Sequence, residues 1–107
     1  MKMVVLMYLE DDEEVVTDLL ADEGVVAFSR MKMEGHGEGG PGWYGGVAPY
    51  RSRMVFAVVG DRCAGRLLGA VRSLGGTADP DHPVRAVEIA LEETAASGAS
   101  PHRPREA

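Results

Sequence analysis

Two strand–helix–strand runs of similar length, joined by the glycine-dense stretch Gly35 to Gly46, constrain this chain more than any other feature. Met3 to Leu9 is apolar on both alternating sets, the pattern of a central strand covered on both faces. The acidic run Glu10 to Glu14 precedes Val15, Val16, Leu19 and Leu20, whose spacing lays an apolar stripe along one helix face. Carboxylates in a first turn suit the positive end of the helix dipole, so the run reads as a solvated helix start. Gly24 is placed to end this helix in the left-handed conformation. A second strand is expected over Val25 to Met33, where Ala27, Ser29, Met31 and Met33 alternate with Phe28, Arg30 and Lys32. Its methionines read as core filler, with thioether metal ligation as the alternative.

The second run repeats the scheme. Arg51 to Val59 is polar where it leaves the glycine loop and apolar beyond it, as a third strand. Asp61 is the expected N-cap of a helix with Cys63, Ala64, Leu67, Leu68, Val71 and Leu74 on its apolar stripe and Gly75-Gly76 at its end. Cys63 then reads as a small core residue. Thr77 to Pro83 is turn-forming, and Val84 to Leu91 gives a fourth strand with Val87, Ile89 and Leu91 on one face. From about Ala95 the sequence loses periodicity, which predicts residues 1–94 as one domain and 95–107 as a disordered tail. The order predicts an α+β, ferredoxin-like βαββαβ sandwich: a four-stranded antiparallel sheet with two helices on one face. The opposite face keeps apolar residues, so it is expected to pack against other copies, with a cyclic homotrimer the first expectation.

Composition narrows the function classes. A net charge of -6 argues against a nucleic-acid binder, whose phosphate contacts need a basic face. The one cysteine cannot form an internal disulfide and no charged-then-apolar leader is visible, so a cytoplasmic protein is expected. The longest apolar run, Met54 to Val59, is far short of the roughly 20 residues of a membrane span.

The working loop is expected at Gly35 to Gly46. Gly35, Gly37, Gly39 and Gly40 follow a strand but lead into another strand, so neither the dinucleotide-fold nor the P-loop context is met. Two readings stay open: a backbone nest that turns N–H groups toward an anion, helped by Arg51 and Arg53, or a flexible connection. Glu34, His36 and Glu38 alternate and could hold a divalent metal, although one histidine is a thin donor set. His82 lies in a turn and His102 in the tail. No nucleophile–base arrangement stands out, so the chain is not read as an enzyme. Trp43 and Tyr44 are an aromatic pair suited to a ligand or partner protein, or to folding back on the sheet.

These residues carry a resemblance. Met1-Lys2-Met3-Val4, the helix ending near Gly24, and the strand running into Glu34-Gly35-His36-Gly37 resemble the N-terminal half of nitrogen regulatory P-II-type signalling proteins, which reach a Gly-Phe-Gly at the base of a long T-loop. His36 stands where that family has phenylalanine, Ser29 where it has a small hydroxyl residue near the nucleotide, and Glu38 where it usually has arginine. Arg51 and Arg53 fall at its basic strand positions after the loop, and Val87 to Glu93 resembles its last strand. The likeness spans roughly residues 1–98, with 35–49 as the T-loop-like segment.

The departures matter as much. The loop is about half the family's length and lacks its modification motif, and Gly75 to Pro83 reads GGTADPDHP in place of the glycine and lysine B-loop. The resemblance therefore implies an outlying trimeric regulator that takes an effector such as ATP, ADP, AMP or bicarbonate in clefts between subunits. Ser29, Gly35, His36, Gly37, Glu38, Arg51 and Arg53 would lie near the ligand. Trp43 and Tyr44 would meet a transporter or metabolic enzyme. The alternatives are a divalent-metal-binding or metal-tolerance protein of the same fold, using Glu34, His36 and Glu38, and a small ferredoxin-fold enzyme.

Overall fold

The computed structural model describes residues 1–36 and 49–98. Its elements are β1 (Lys2–Leu9), α1 (Glu13–Asp22), β2 (Ser29–Gly35), β3 (Tyr50–Val59), α2 (Asp61–Arg72) and β4 (Arg85–Ala90), with a 3-10 turn over Glu10–Asp12. The four strands form one antiparallel sheet in the order β2-β3-β1-β4. This is the ferredoxin-like α+β arrangement that the duplicated pattern implies. β1 is central, as its double apolar alternation requires.

The alternation of β1 divides the sheet. Val4, Leu6 and Tyr8 are buried, and they stand opposite Ala57, Val55 and Arg53 of β3. These residues meet Val16, Leu19 and Leu20 of α1 and Ala64 and Leu67 of α2 in a single core. The intervening residues Met3, Val5 and Met7 share the other face with Met54, Phe56 and Val58, and with Met31, Met33, Val87 and Ile89 of the edge strands. No described helix or strand covers that face, although Ser52 at its loop end is only 3% exposed. Met31, Val58 and Ile89 are accordingly 45%, 48% and 40% exposed.

Several boundaries differ from expectation for local reasons. β2 starts at Ser29 rather than Val25, because Gly24 (φ 75°) turns the chain and Val25 tucks into the core with its N–H donated to the Leu20 carbonyl. β3 begins one residue earlier than expected, at Tyr50, and β4 runs Arg85–Ala90 rather than 84–91. Gly60, not Asp61, is the N-cap of α2. Asp61 lies in its first turn and takes the Met1 ammonium at 2.9 Å, which lowers its carboxyl pKa. That helix ends at Arg72 with Ser73 as C-cap, before Gly75-Gly76. Met31 and Met33 are not core filler of the subunit, since they lie on the uncovered face.

The acidic run is the largest correction. Only part of it is a solvated helix start: Asp11 and Glu14 are exposed, but Asp12, the N-cap of α1, is 2% exposed, and its Oδ1 accepts the Ala78 N–H at 2.8 Å, holding the turn before β4 against the start of α1. Among the described residues no helix is long and apolar enough to cross a membrane. Residues 95–98 carry no regular structure, and the rest of the expected tail, His102 included, lies outside the described residues.

Candidate functional site

Gly35 closes β2 and Tyr50 opens β3, so these paired residues form the base of the connection between them. Tyr50 lays its ring over Gly35 so closely that a Cβ at position 35 would clash with the ring carbons Cε2 and Cζ. Any other residue there would have to push the Tyr50 ring aside. The other side of the ring meets His82 edge-on, with centroids 4.7 Å apart and planes at 66°. Burial raises the pKa of the Tyr50 phenol.

His82 belongs to a self-bonded turn. Its Nδ1 lies 2.9 Å from Asp79 Oδ2, and because a carboxylate only accepts, the ring donates there. Asp79 Oδ1 accepts the Asp81 N–H at 2.9 Å, and the Asp79 carbonyl accepts from Thr77 Oγ1 at 3.1 Å. The Asp81 N–H, then His82, hold the Asp79 carboxyl below its ordinary pKa. Thus the turn before β4 reaches the loop base on one side and Asp12 on the other. An apolar cleft of about 220 Å³ lies where this turn leaves α2, walled by Val71, Leu74, Pro80, Pro83 and Val84.

The two candidate arginines differ sharply. Arg53 is directed to the helical side, where Nη1 meets Glu13 Oε1 at 2.9 Å and Nη2 meets Glu10 Oε1 at 3.2 Å. Glu13 also receives Arg30 Nε at 2.8 Å and, through Oε2, the Tyr8 hydroxyl at 2.6 Å. Desolvation, then the Glu13 hydrogen bond, pushes the Tyr8 phenol up to about 12. Two carboxylates and two guanidinium groups balance in this cluster, so Arg53 is a structural cation. Arg51, exposed two positions nearer the loop, makes no ion pair with another described residue.

Ser29 stands six strand positions from Gly35, roughly 20 Å along one subunit at the usual strand rise. It is therefore not brought to the loop base within a single chain. Glu34 and His36 do meet, Oε2 to Nε2 at 2.6 Å, with both side chains exposed. Among the described residues no group of three or more His, Cys, Asp or Glu converges on a metal position. Gly37, Glu38, Trp43 and Tyr44 lie outside the described residues. The Tyr50–His82 and Asp12–Ala78 contacts were missed by sequence reasoning, because they join residues far apart in the chain. The one available signal was the aromatic residue at the exact foot of the glycine stretch.

No family model matches the chain, and no curated protein matches it. Among solved structures it is similar to CPII, a nitrogen regulatory PII-like protein from Thiomonas intermedia K12 solved with ADP, AMP and bicarbonate. The two share 21% identity over 84% of this chain and 92% of that one, with a TM-score of 0.54. The fold is therefore the ferredoxin-like fold that CPII also has.

Proposed function

We propose that this chain is a P-II-like regulator rather than an enzyme. It binds an adenine nucleotide or bicarbonate at the base of the β2–β3 connection, in clefts between copies of a homotrimer. The observation that carries this reading is the exposed Arg51, without an ion pair to another described residue, one position from the Gly35–Tyr50 contact in a fold shared with CPII. An anion gains most from a cation that is not already neutralised. The apolar open face supports assembly, since a second copy would remove it from water. Ser29 and the segment from Gly35 to Glu38 would complete the cleft, with Ser29 supplied by a neighbouring copy. Ligand binding would favour one arrangement of the loop over others, and Trp43 and Tyr44 would present that arrangement to a transporter or metabolic enzyme.

Calorimetric titration with ATP, ADP, AMP and bicarbonate tests this. Heat from at least one, weakened tenfold or more in Arg51→Ala, is the expected result. No heat from any would overturn it, and turnover of an added ligand would favour an enzyme. A light-scattering mass of a monomer would remove the inter-subunit cleft. The Glu34–His36 contact favours one second reading, a divalent-metal site completed by Glu38. Heat from divalent metals alone, lost in His36→Ala, would support that reading instead.

A further inference from the structure

The outer surface of the helical layer carries its charge in two separate rows. Asp11, in the turn that leads into α1, is followed at helical spacing by Glu14, Asp18 and Asp22, and all four are exposed. On α2, Arg62, Arg66 and Arg72 are exposed around Gly65 and Gly69. Among the described residues the four carboxylates, Arg62 and Arg72 make no ion pair, and Arg66 reaches only Glu23, at 3.9 Å. The two glycines have no explanation inside the subunit. A Cβ at either position meets nothing within 4 Å, and glycine in a helix interior weakens the helix relative to alanine. They leave the α2 backbone bare between the arginines, open to close approach from outside.

We propose that this layer is a contact surface for a second copy of the chain, with α1 of each copy laid antiparallel over α2 of the other. α1 starts at the end of the sheet where Leu9 pairs with Ser52, and α2 at the end where Lys2 pairs with Val59, so the two helices run antiparallel side by side. A twofold axis directed along them therefore sets each row over its opposite twice, without reversing either helix. The axial spacing fits. Arg66 and Arg72 lie four and ten residues beyond Arg62, roughly 6 and 15 Å at helical rise. Counting back from Asp22, Asp18 lies four residues away, and Glu14 and Asp11 eight and eleven, roughly 6, 12 and 16 Å. Asp22 and Asp18 thus fall level with Arg62 and Arg66, and Glu14 and Asp11 bracket Arg72. A foreign acidic partner would satisfy α2 and leave the carboxylates of α1 unanswered; a second copy answers both rows. Helices of ten and twelve residues present less than the roughly 800 Å² per partner of a standard interface, so the contact is weak and leans on its charges.

This contact is independent of the effector reading, and it uses the layer opposite the sheet face that the trimer would bury. Light scattering at submillimolar chain concentration tests it, compared between about 0.01 M and about 1 M salt, where charges are felt over roughly 30 Å and 3 Å. The mass at low salt should be at least twice that at high salt, and the high-salt mass then reports the sheet-face assembly alone. Arg62→Glu with Arg66→Glu should remove the increase, and so should Asp18→Arg with Asp22→Arg. The changes at Arg62 and Asp22 suit the dipoles of their helix ends, so far-ultraviolet spectra and high-salt masses should stay as they are. Mixing the two reversed chains should restore the increase, because each changed row again faces its opposite. Gly65→Gln with Gly69→Gln should raise the melting temperature and weaken the low-salt association at least tenfold. Equal masses at both salts, an increase that survives either reversal or the glutamine pair, or reversed chains that stay apart when mixed would each overturn the proposal.

Discussion

The two faces of this sheet are made from the same strands by the same alternation, yet they solve opposite problems. On the helical side Leu6, Val4 and Tyr8 are almost fully removed from water, and the charges at its end neutralise one another through Glu13. On the open side Val58 and Ile89 remain partly in water. The difference teaches that the subunit's stability resides in one face, while the other is left available for association or ligand. Substitutions of equal chemistry on the two faces should therefore have unequal effects.

The largest contrast is expected from a pair of truncations on β1. Leu6→Ala leaves a cavity in a closed core and should cost about 2–5 kcal/mol in urea denaturation. Val5→Ala, one residue away on the open face, should cost under about 1 kcal/mol in the isolated subunit. Equal losses would mean that the open face is covered, within the chain or by another copy.

Alkaline pH probes the sealed end of the helical face. The Tyr8 phenol has an ordinary pKa of 10.0 and about 12 in the folded chain, so folding favours its protonated form. The stabilisation is complete below pH 10 and is lost as pH rises from 10 through 12, by roughly 2–3 kcal/mol for a shift of this size. Tyr50 contributes in the same direction. Tyr8→Phe should flatten most of this alkaline slope in denaturation midpoints; an unchanged slope would mean that Tyr8 is not its source.

Glu13→Gln comes next. It removes the carboxylate that holds Arg53, Arg30 and Tyr8, and should destabilise by about 2 kcal/mol, the range for hydrogen bonds to charged groups. Glu14→Gln, exposed on the same helix, should stay within about 0.5 kcal/mol.

This cluster also marks where the sequence stopped being readable. Periodicity located β1, both helices and the order of the strands, because burial on one face writes a period of two or 3.6 directly into the chain. It could not show that Glu13 answers Arg53 across 40 residues, or Asp12 the Ala78 amide across 66, since no local pattern records a contact made by tertiary folding. For the same reason Arg51 and Arg53 looked alike as candidate anion ligands. They alternate in a strand, but only the structure reveals that Arg53 is already neutralised. The start of β2 was misread because Val25 is apolar for the sake of the helix end rather than the strand.

The smallest expected change in subunit stability gives the cleanest test of the open face. Val58 is 48% exposed and lies directly opposite Met3 in a non-edge position, so Val58→Lys places a charge in the middle of the apolar surface while touching nothing in the core. A lysine there can carry its ammonium into water and lay its methylenes along the sheet, so the isolated subunit should change by less than about 0.5 kcal/mol. In an assembly that buries this face the same ammonium would be stripped of water without a carboxylate on the strands around it, a cost of several kcal/mol. Light scattering should therefore show the mass falling to that of one chain while the far-ultraviolet spectrum stays unchanged. A variant that keeps the oligomeric mass would place the subunit contact elsewhere, and the exposure of this face would then have to be explained by a ligand alone.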